Sequence, residues 1–154
     1  MRKILLVDND ITFIWGLKKY LQRRGYAVET AATLAEAREM IKQEAPLLIC
    51  SDLCLPDGSG LELLAEVRTC NKDTPFIIAS CYEKDDYEQE ALQHGVTICM
   101  DKIKSALLKD KLVEYAYRQL SGEKAPTFHK LLFVHVEDTS AEVLRAAMLQ
   151  KGFD

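Results

Sequence analysis

No apolar stretch of this 154-residue sequence approaches the ~20 residues that a membrane-spanning helix needs, so a membrane span is not expected. A leader for export is not expected either, because Met1-Arg2-Lys3 is followed by only a few apolar residues before Asp8 interrupts them. There is no excess of basic charge. The formal net charge is −4, which gives no electrostatic basis for direct contact with nucleic acid or an anionic membrane surface. The five cysteines (Cys50, Cys54, Cys70, Cys81 and Cys99) are odd in number and lack a paired C-x-x-C spacing, so they read as reduced and mostly buried. The three histidines add no metal chemistry: His94, in Gln-His-Gly, reads as a helix-end residue, and His129 and His135 lie far from any cysteine pair. A cytoplasmic protein is expected, with one domain and a remainder too short to be a second.

Short apolar runs alternate with stretches of helical period, the pattern of βαβ units on a parallel sheet. The strand candidates are Ile4–Val7, Ala27–Ala31, Leu47–Ser51, Phe76–Ser80 and Val96–Met100, and the last three contain runs that are apolar on both pleat faces, as strands covered on both sides must be. Between them, Phe13, Leu17, Tyr20 and Leu21 form one helical stripe ended by Gly25. Leu34, Ala37, Met40 and Ile41 form a second, with Thr33 as its cap. Leu61, Leu63, Leu64 and Val67 mark a third helix, Glu88 to His94 a fourth closed by Gly95, and Leu107, Leu108, Leu112 and Tyr115 a fifth. The expected fold is α/β: a doubly wound, flavodoxin-like, five-stranded parallel sheet of strand order 2-1-3-4-5. Trp15 falls off the first stripe and is expected at the surface.

Residues 1–120 form that domain, and residues 121–128, with Gly122 and Pro126, read as a linker. Beyond it, a shift of 127 positions lays the sequence on its own start without a gap. Lys3, Leu5, Val7, Thr12, Leu17 and Gly25 meet Lys130, Leu132, Val134, Thr139, Leu144 and Gly152. Residues 129–154 are therefore expected to be an extra C-terminal βα unit, the first of a truncated repeat. A lone βα unit leaves an unpaired strand edge, so a homodimer made through this segment is expected.

Ligands of an open parallel sheet sit beyond the carboxyl ends of its strands. Strand one ends in Asp8-Asn9-Asp10, strand three in Asp52, strand four in Ser80 and strand five in Lys102. Carboxylates gathered at one point call for a hard divalent cation such as Mg²⁺, and a lysine with a hydroxyl beside it completes a site for phosphoryl oxygens. Asp57 and Asp10 read as a turn residue and a solvated side chain.

Leu5-Leu6-Val7-Asp8-Asn9-Asp10, Ser51-Asp52-Leu53-Cys54-Leu55-Pro56-Asp57-Gly58-Ser59-Gly60, Phe76-Ile77-Ile78-Ala79-Ser80 and Asp101-Lys102 resemble, in order and spacing, the four signatures of response-regulator receiver domains. The resemblance implies that Asp52 takes a phosphoryl group from the phosphohistidine of a sensor histidine kinase or phosphotransfer protein. It further implies that Asp8, Asn9, Asp52 and the Cys54 carbonyl hold Mg²⁺, that Lys102 and Ser80 contact the phosphoryl oxygens, and that the domain is a phosphoacceptor rather than a turnover enzyme. Three positions depart from the family pattern. Asn9 replaces a second acid, which lowers the expected metal affinity. Ile103 replaces a proline, and Cys99 replaces the aromatic whose rotation usually couples the site to the surface.

Two other readings stay open on these residues. Asp8-Asn9-Asp10-Ile11-Thr12 also resembles the first motif of haloacid-dehalogenase phosphohydrolases, with Asp8 as nucleophile, although the paired acids expected late in that family are not visible. Alternatively, the three departures describe a degenerate receiver that docks partners without being phosphorylated.

Overall fold

The computed structural model describes residues 2–122. Five parallel strands form one sheet, β1 (Ile4–Val7), β2 (Val28–Ala31), β3 (Leu48–Ser51), β6 (Phe76–Ser80) and β7 (Ile98–Asp101), in the order β2-β1-β3-β6-β7. Between β3 and β6 lies a small antiparallel ladder, β4 (Cys54–Leu55) against β5 (Gly58–Ser59), which pattern alone did not foresee and which changes the numbering from the five-strand scheme. The helices are α1 (Ile11–Arg23), α2 (Leu34–Gln43), α3 (Gly60–Cys70), α4 (Glu88–Gln93) and α5 (Ser105–Leu120), with a 3₁₀ turn at Lys84–Asp86 before α4.

Side chains that alternate along a strand sort into two cores. Leu5, Val7, Ile49 and Ile78 join Leu34 and Ala37 of α2, Leu63, Leu64 and Val67 of α3 and Ala91 of α4. Ile4, Leu6, Leu48, Cys50, Ile77 and Ala79 face the opposite way, against Ile14, Leu17 and Leu21 of α1 and Leu108, Leu112 and Tyr115 of α5. Each fully buried aliphatic or Phe side chain contributes roughly 1.5–3 kcal/mol, so both faces of the sheet are held by apolar burial.

Local signals place the helix ends. Thr33 Oγ1 accepts the Glu36 N–H at 3.1 Å, Ser59 and Glu62 form a capping box on α3, and Gly25 ends α1 at a φ of +90°, which favours glycine. The Asp57 carboxylate, expected to be a turn residue, instead reaches across 23 positions of sequence to accept the Leu34 N–H at 2.7 Å, and it accepts the Ala35 N–H at 3.0 Å. These bonds to the start of α2 hold the Asp57 carboxyl below its ordinary value.

The last sheet strand starts at Ile98, two residues later than expected, because the Val96 N–H is used to close α4 on the Ala91 carbonyl at 3.1 Å. Only Cys50 and Cys99 are buried; Cys54, Cys70 and Cys81 are exposed, so "mostly buried" does not hold. Ser121 and Gly122 close α5. The rest of the linker and the C-terminal βα unit at 129–154, with the dimer contact assigned to it, lie outside the described residues. Among those residues no helix is long and apolar enough to cross a membrane.

Candidate functional site

The turn after β1 sets Asp8 and Asp10 in different roles. Asp8 ends the buried strand, with Oδ1 accepting the Asp10 N–H at 2.9 Å. Asp10 caps α1, its Oδ1 accepting the Phe13 N–H at 3.2 Å, while Oδ2 lies 4.0 Å from the Lys102 ammonium. It is therefore a cap and a rim charge, not merely a solvated residue. Asn9 between them is exposed.

Asp52 follows β3 and is anchored by backbone. Its N–H donates to the Val7 carbonyl at 2.8 Å, and its Oδ1 accepts the Leu53 N–H at 2.7 Å. The Ser51 hydroxyl donates to the Asp52 carbonyl at 2.9 Å, and a Cβ on Gly60 would collide with that same carbonyl oxygen, which is why α3 starts on glycine. Burial, then the charge of Asp8, raises the Asp52 carboxyl above its ordinary value, against the opposing pull of Lys102 and the Leu53 and Cys54 N–H groups.

Lys102, just past β7, is placed by its own N–H, which donates to the Ser80 carbonyl at 2.9 Å. Its Nζ lies 2.7 Å from Asp8 Oδ2 and 3.6 Å from Asp52 Oδ2. The contact with Asp8 is the shorter of the two, and Asp8 is the more deeply buried partner. Burial pushes the Lys102 ammonium down, but the contact and charge of Asp8, followed by the charges of Asp52 and Asp10, outweigh it and hold the group above its ordinary value. The Phe13 ring sits 4.6 Å from the ammonium. This contact escaped the sequence reading, which saw Phe13 only as part of a core stripe.

Asp8, Asp10, Asp52 and Lys102 thus converge, and Ser80 stands on the adjoining strand end. The Ser80 hydroxyl is buried and accepts the Tyr82 N–H at 3.0 Å. Cys54 and Tyr82 are exposed at the rim, and the neighbouring Cys54 is the main cause that raises the Tyr82 phenol above its ordinary value. A hollow of about 510 Å³ between α2 and α3, lined by Ile41, Leu63, Val67 and Thr74 among others, shares no residue with this site.

Three carboxylates against one ammonium leave an excess negative charge, which fits a divalent cation. No cluster of three His, Cys, Asp or Glu side chains able to hold a metal forms among the described residues. The donor set still suits Mg²⁺, which takes one or two carboxylates and completes its shell with carbonyl and water oxygens.

Residues 4–113 match the family of the response regulator receiver domain. The chain belongs to that family. This receiver is 31% identical over 101 residues to the photosynthetic apparatus regulatory protein RegA of Cereibacter sphaeroides, an alignment covering 66% of this chain and 55% of that protein. It is 36% identical over 81 residues to the acid tolerance regulatory protein ActR of Rhizobium meliloti, covering 53% of this chain and 42% of that one. It therefore aligns with about half the length of these curated relatives. Among solved structures, the CheY-like receiver domain protein of Methanospirillum hungatei JF-1 superposes with a TM-score of 0.72 at 28% identity, over 79% of this chain and 98% of that one. Receiver domains act as phosphoacceptors in two-component signalling and generally bind Mg²⁺ at the phosphorylation site. The hydrolase alternative with Asp8 as nucleophile gives way to this membership.

Proposed function

We propose that this receiver takes a phosphoryl group onto Asp52 from the phosphohistidine of a sensor histidine kinase or phosphotransfer protein in the cytoplasm. The observation that carries the reading is the Lys102 ammonium set between the buried Asp8 and Asp52, at 2.7 and 3.6 Å, at the mouth of the sheet. An Asp52 carboxylate oxygen attacks phosphorus as the P–N bond breaks, and the imidazole leaves neutral once protonated. Lys102 offsets charge on the transferring oxygens, and the Ser80 hydroxyl donates to one of them after transfer. Asp8, Asn9, Asp52 and the Cys54 carbonyl would hold Mg²⁺, which when bound neutralises charge on the phosphoryl group. The proposal is tested by incubating the protein with a small phosphodonor and following its intact mass, with and without Mg²⁺.

Asn9→Asp should tighten Mg²⁺ by a factor on the order of ten, since a full charge a few ångströms from the ion at a partly exposed site is easily worth the ~1.4 kcal/mol required. Calorimetric titration checks this, and equal affinities would remove Asn9 as the cause of weak binding.

Once formed, the acyl phosphate should persist for many minutes or longer. Cys54 and Tyr82, two residues beyond Asp52 and Ser80, are exposed at the rim and offer no carboxylate or amide to orient an attacking water. Loss of phosphate within seconds would contradict this reading of the two positions.

The self-alignment at a shift of 127 supports reading residues 129–154 as the opening βα unit of a second receiver-like repeat, which pairs between copies of the chain. Light scattering of the full chain against one cut after the linker tests this, and a monomeric full chain would contradict it.

A further inference from the structure

Phe13 is the third residue of α1, and its N–H is taken by Asp10 Oδ1 at 3.2 Å. Its ring is half-buried against the core shared by α1 and α5, and the Lys102 ammonium lies over it, 4.6 Å from its centre. A cation over an aromatic face is attracted by the negative charge of that face, more strongly where water is kept away. The Lys102 side chain is largely shielded from water. The first turn of a helix is otherwise a poor place for a cation, because the helix dipole is positive there.

The three carboxylates around the ammonium pull in different directions. Asp8 and Asp52 are buried or nearly so and draw it into the site, at 2.7 and 3.6 Å. Asp10 is exposed and draws it toward the rim, at 4.0 Å. A lysine stem is flexible and its charge compact, so the ammonium follows the nearest negative group. Transfer to Asp52 requires it to leave Asp8 for the phosphoryl oxygens, and during that move Asp10 competes for it. The attraction of a ring face extends to about 6 Å and lacks the directionality of a hydrogen bond. It therefore survives a short displacement of the ammonium, and the bulk of the ring closes one side of the path to water.

We propose that Phe13 is a positioning residue for transfer to Asp52: its ring face keeps the Lys102 ammonium inside the mouth of the site, away from Asp10, while the ammonium passes from Asp8 to the phosphoryl oxygens. The proposal rests on the reading of Asp52 and Lys102 given above, and one of its measurements is made on the unphosphorylated chain.

The test replaces Phe13 site-specifically by 4-fluoro-, 3,5-difluoro- and 3,4,5-trifluorophenylalanine, which keep the shape of the ring and progressively drain negative charge from its face. The rate of phosphorylation by a small phosphodonor should fall stepwise along the series, and Phe13→Leu should slow it about three- to tenfold. Asp10→Asn should recover part of the Phe13→Leu loss, because the amide still caps α1 and no longer draws the ammonium outward. In the unphosphorylated parent the Lys102 ε-methylene protons should be shifted upfield by the ring, and in Phe13→Leu they should return to the ordinary lysine position. A trifluoro variant that reacts at the parent rate overturns the proposal. So does a Phe13→Leu loss that is equally large in a Lys102→Met background, since a ring that merely packs would give that result. Ordinary proton shifts in a parent that is phosphorylated overturn the role of Phe13 alone, whereas a parent that gains no phosphoryl mass overturns the assignment of Asp52 and the role of Phe13 with it.

Discussion

Asp52→Asn should reduce Mg²⁺-dependent phosphorylation by a small phosphodonor to background while leaving the domain folded. The amide is nearly isosteric, and its carbonyl oxygen can still accept the Leu53 N–H that Asp52 Oδ1 accepts at 2.7 Å. What disappears is the nucleophilic carboxylate. Folding should not suffer at neutral pH, because burial and the neighbouring Asp8 disfavour the charged Asp52 and the variant removes that charge. Mass spectrometry and circular dichroism on the same sample check both halves. Persistent labelling would move the acceptor elsewhere, and an unlabelled parent would favour a receiver that docks partners without chemistry.

Lys102→Met should lower the phosphorylation rate by a factor on the order of 10²–10³, the usual loss when a positioned donor to a developing charge is removed. It should also destabilise the domain by about 1–3 kcal/mol. That is less than the 3–5 kcal/mol of a fully buried broken pair, because the Lys102 and Asp52 side chains keep 11% and 14% exposure, although Asp8 keeps only 2%. The dependence on pH has a definite sign. With Lys102 held above its ordinary 10.5, its stabilising contribution is complete below that value and is lost as pH climbs through the raised one. With Asp52 held above its ordinary 3.8, the folded chain protonates first, so stability rises as pH falls between the raised value and 3.8. Removing Lys102 moves that region upward, and the deficit of the variant should shrink on acidification from neutral pH. Thermal melts across pH measure it, and a deficit independent of pH would show that the charge pairing is not its cause.

Much of this was legible because the residues concerned act locally. Ile4–Val7 and Phe76–Ser80 are strands to the residue, since short apolar runs alternating with helical stretches are the pattern of βαβ units on a parallel sheet. Thr33 and Gly25 announce helix ends through chemistry within a few residues. Long-range contacts were missed. Asp57 looked like a turn residue because its partners, the N–H groups of Leu34 and Ala35, lie more than twenty positions away. Phe13 looked like core because a ring on an apolar stripe gives no sign that a lysine 89 positions later will rest near it. Val96 is apolar and buried yet belongs to the close of α4, a competition between helix and strand for one N–H that hydropathy does not register. The convergence of Asp8, Asp52 and Lys102 was accessible only through strand order, which carries three distant chain positions to one edge of the sheet.

The most direct measurement is to locate the phosphoryl group. After reaction with a small phosphodonor and Mg²⁺, borohydride reduces an aspartyl phosphate to homoserine, which peptide mass spectrometry assigns to a residue. Conversion of Asp52 alone, abolished when Mg²⁺ is chelated, is the result expected here. Conversion of Asp8, or no conversion in a folded chain with Mg²⁺ present, would contradict it.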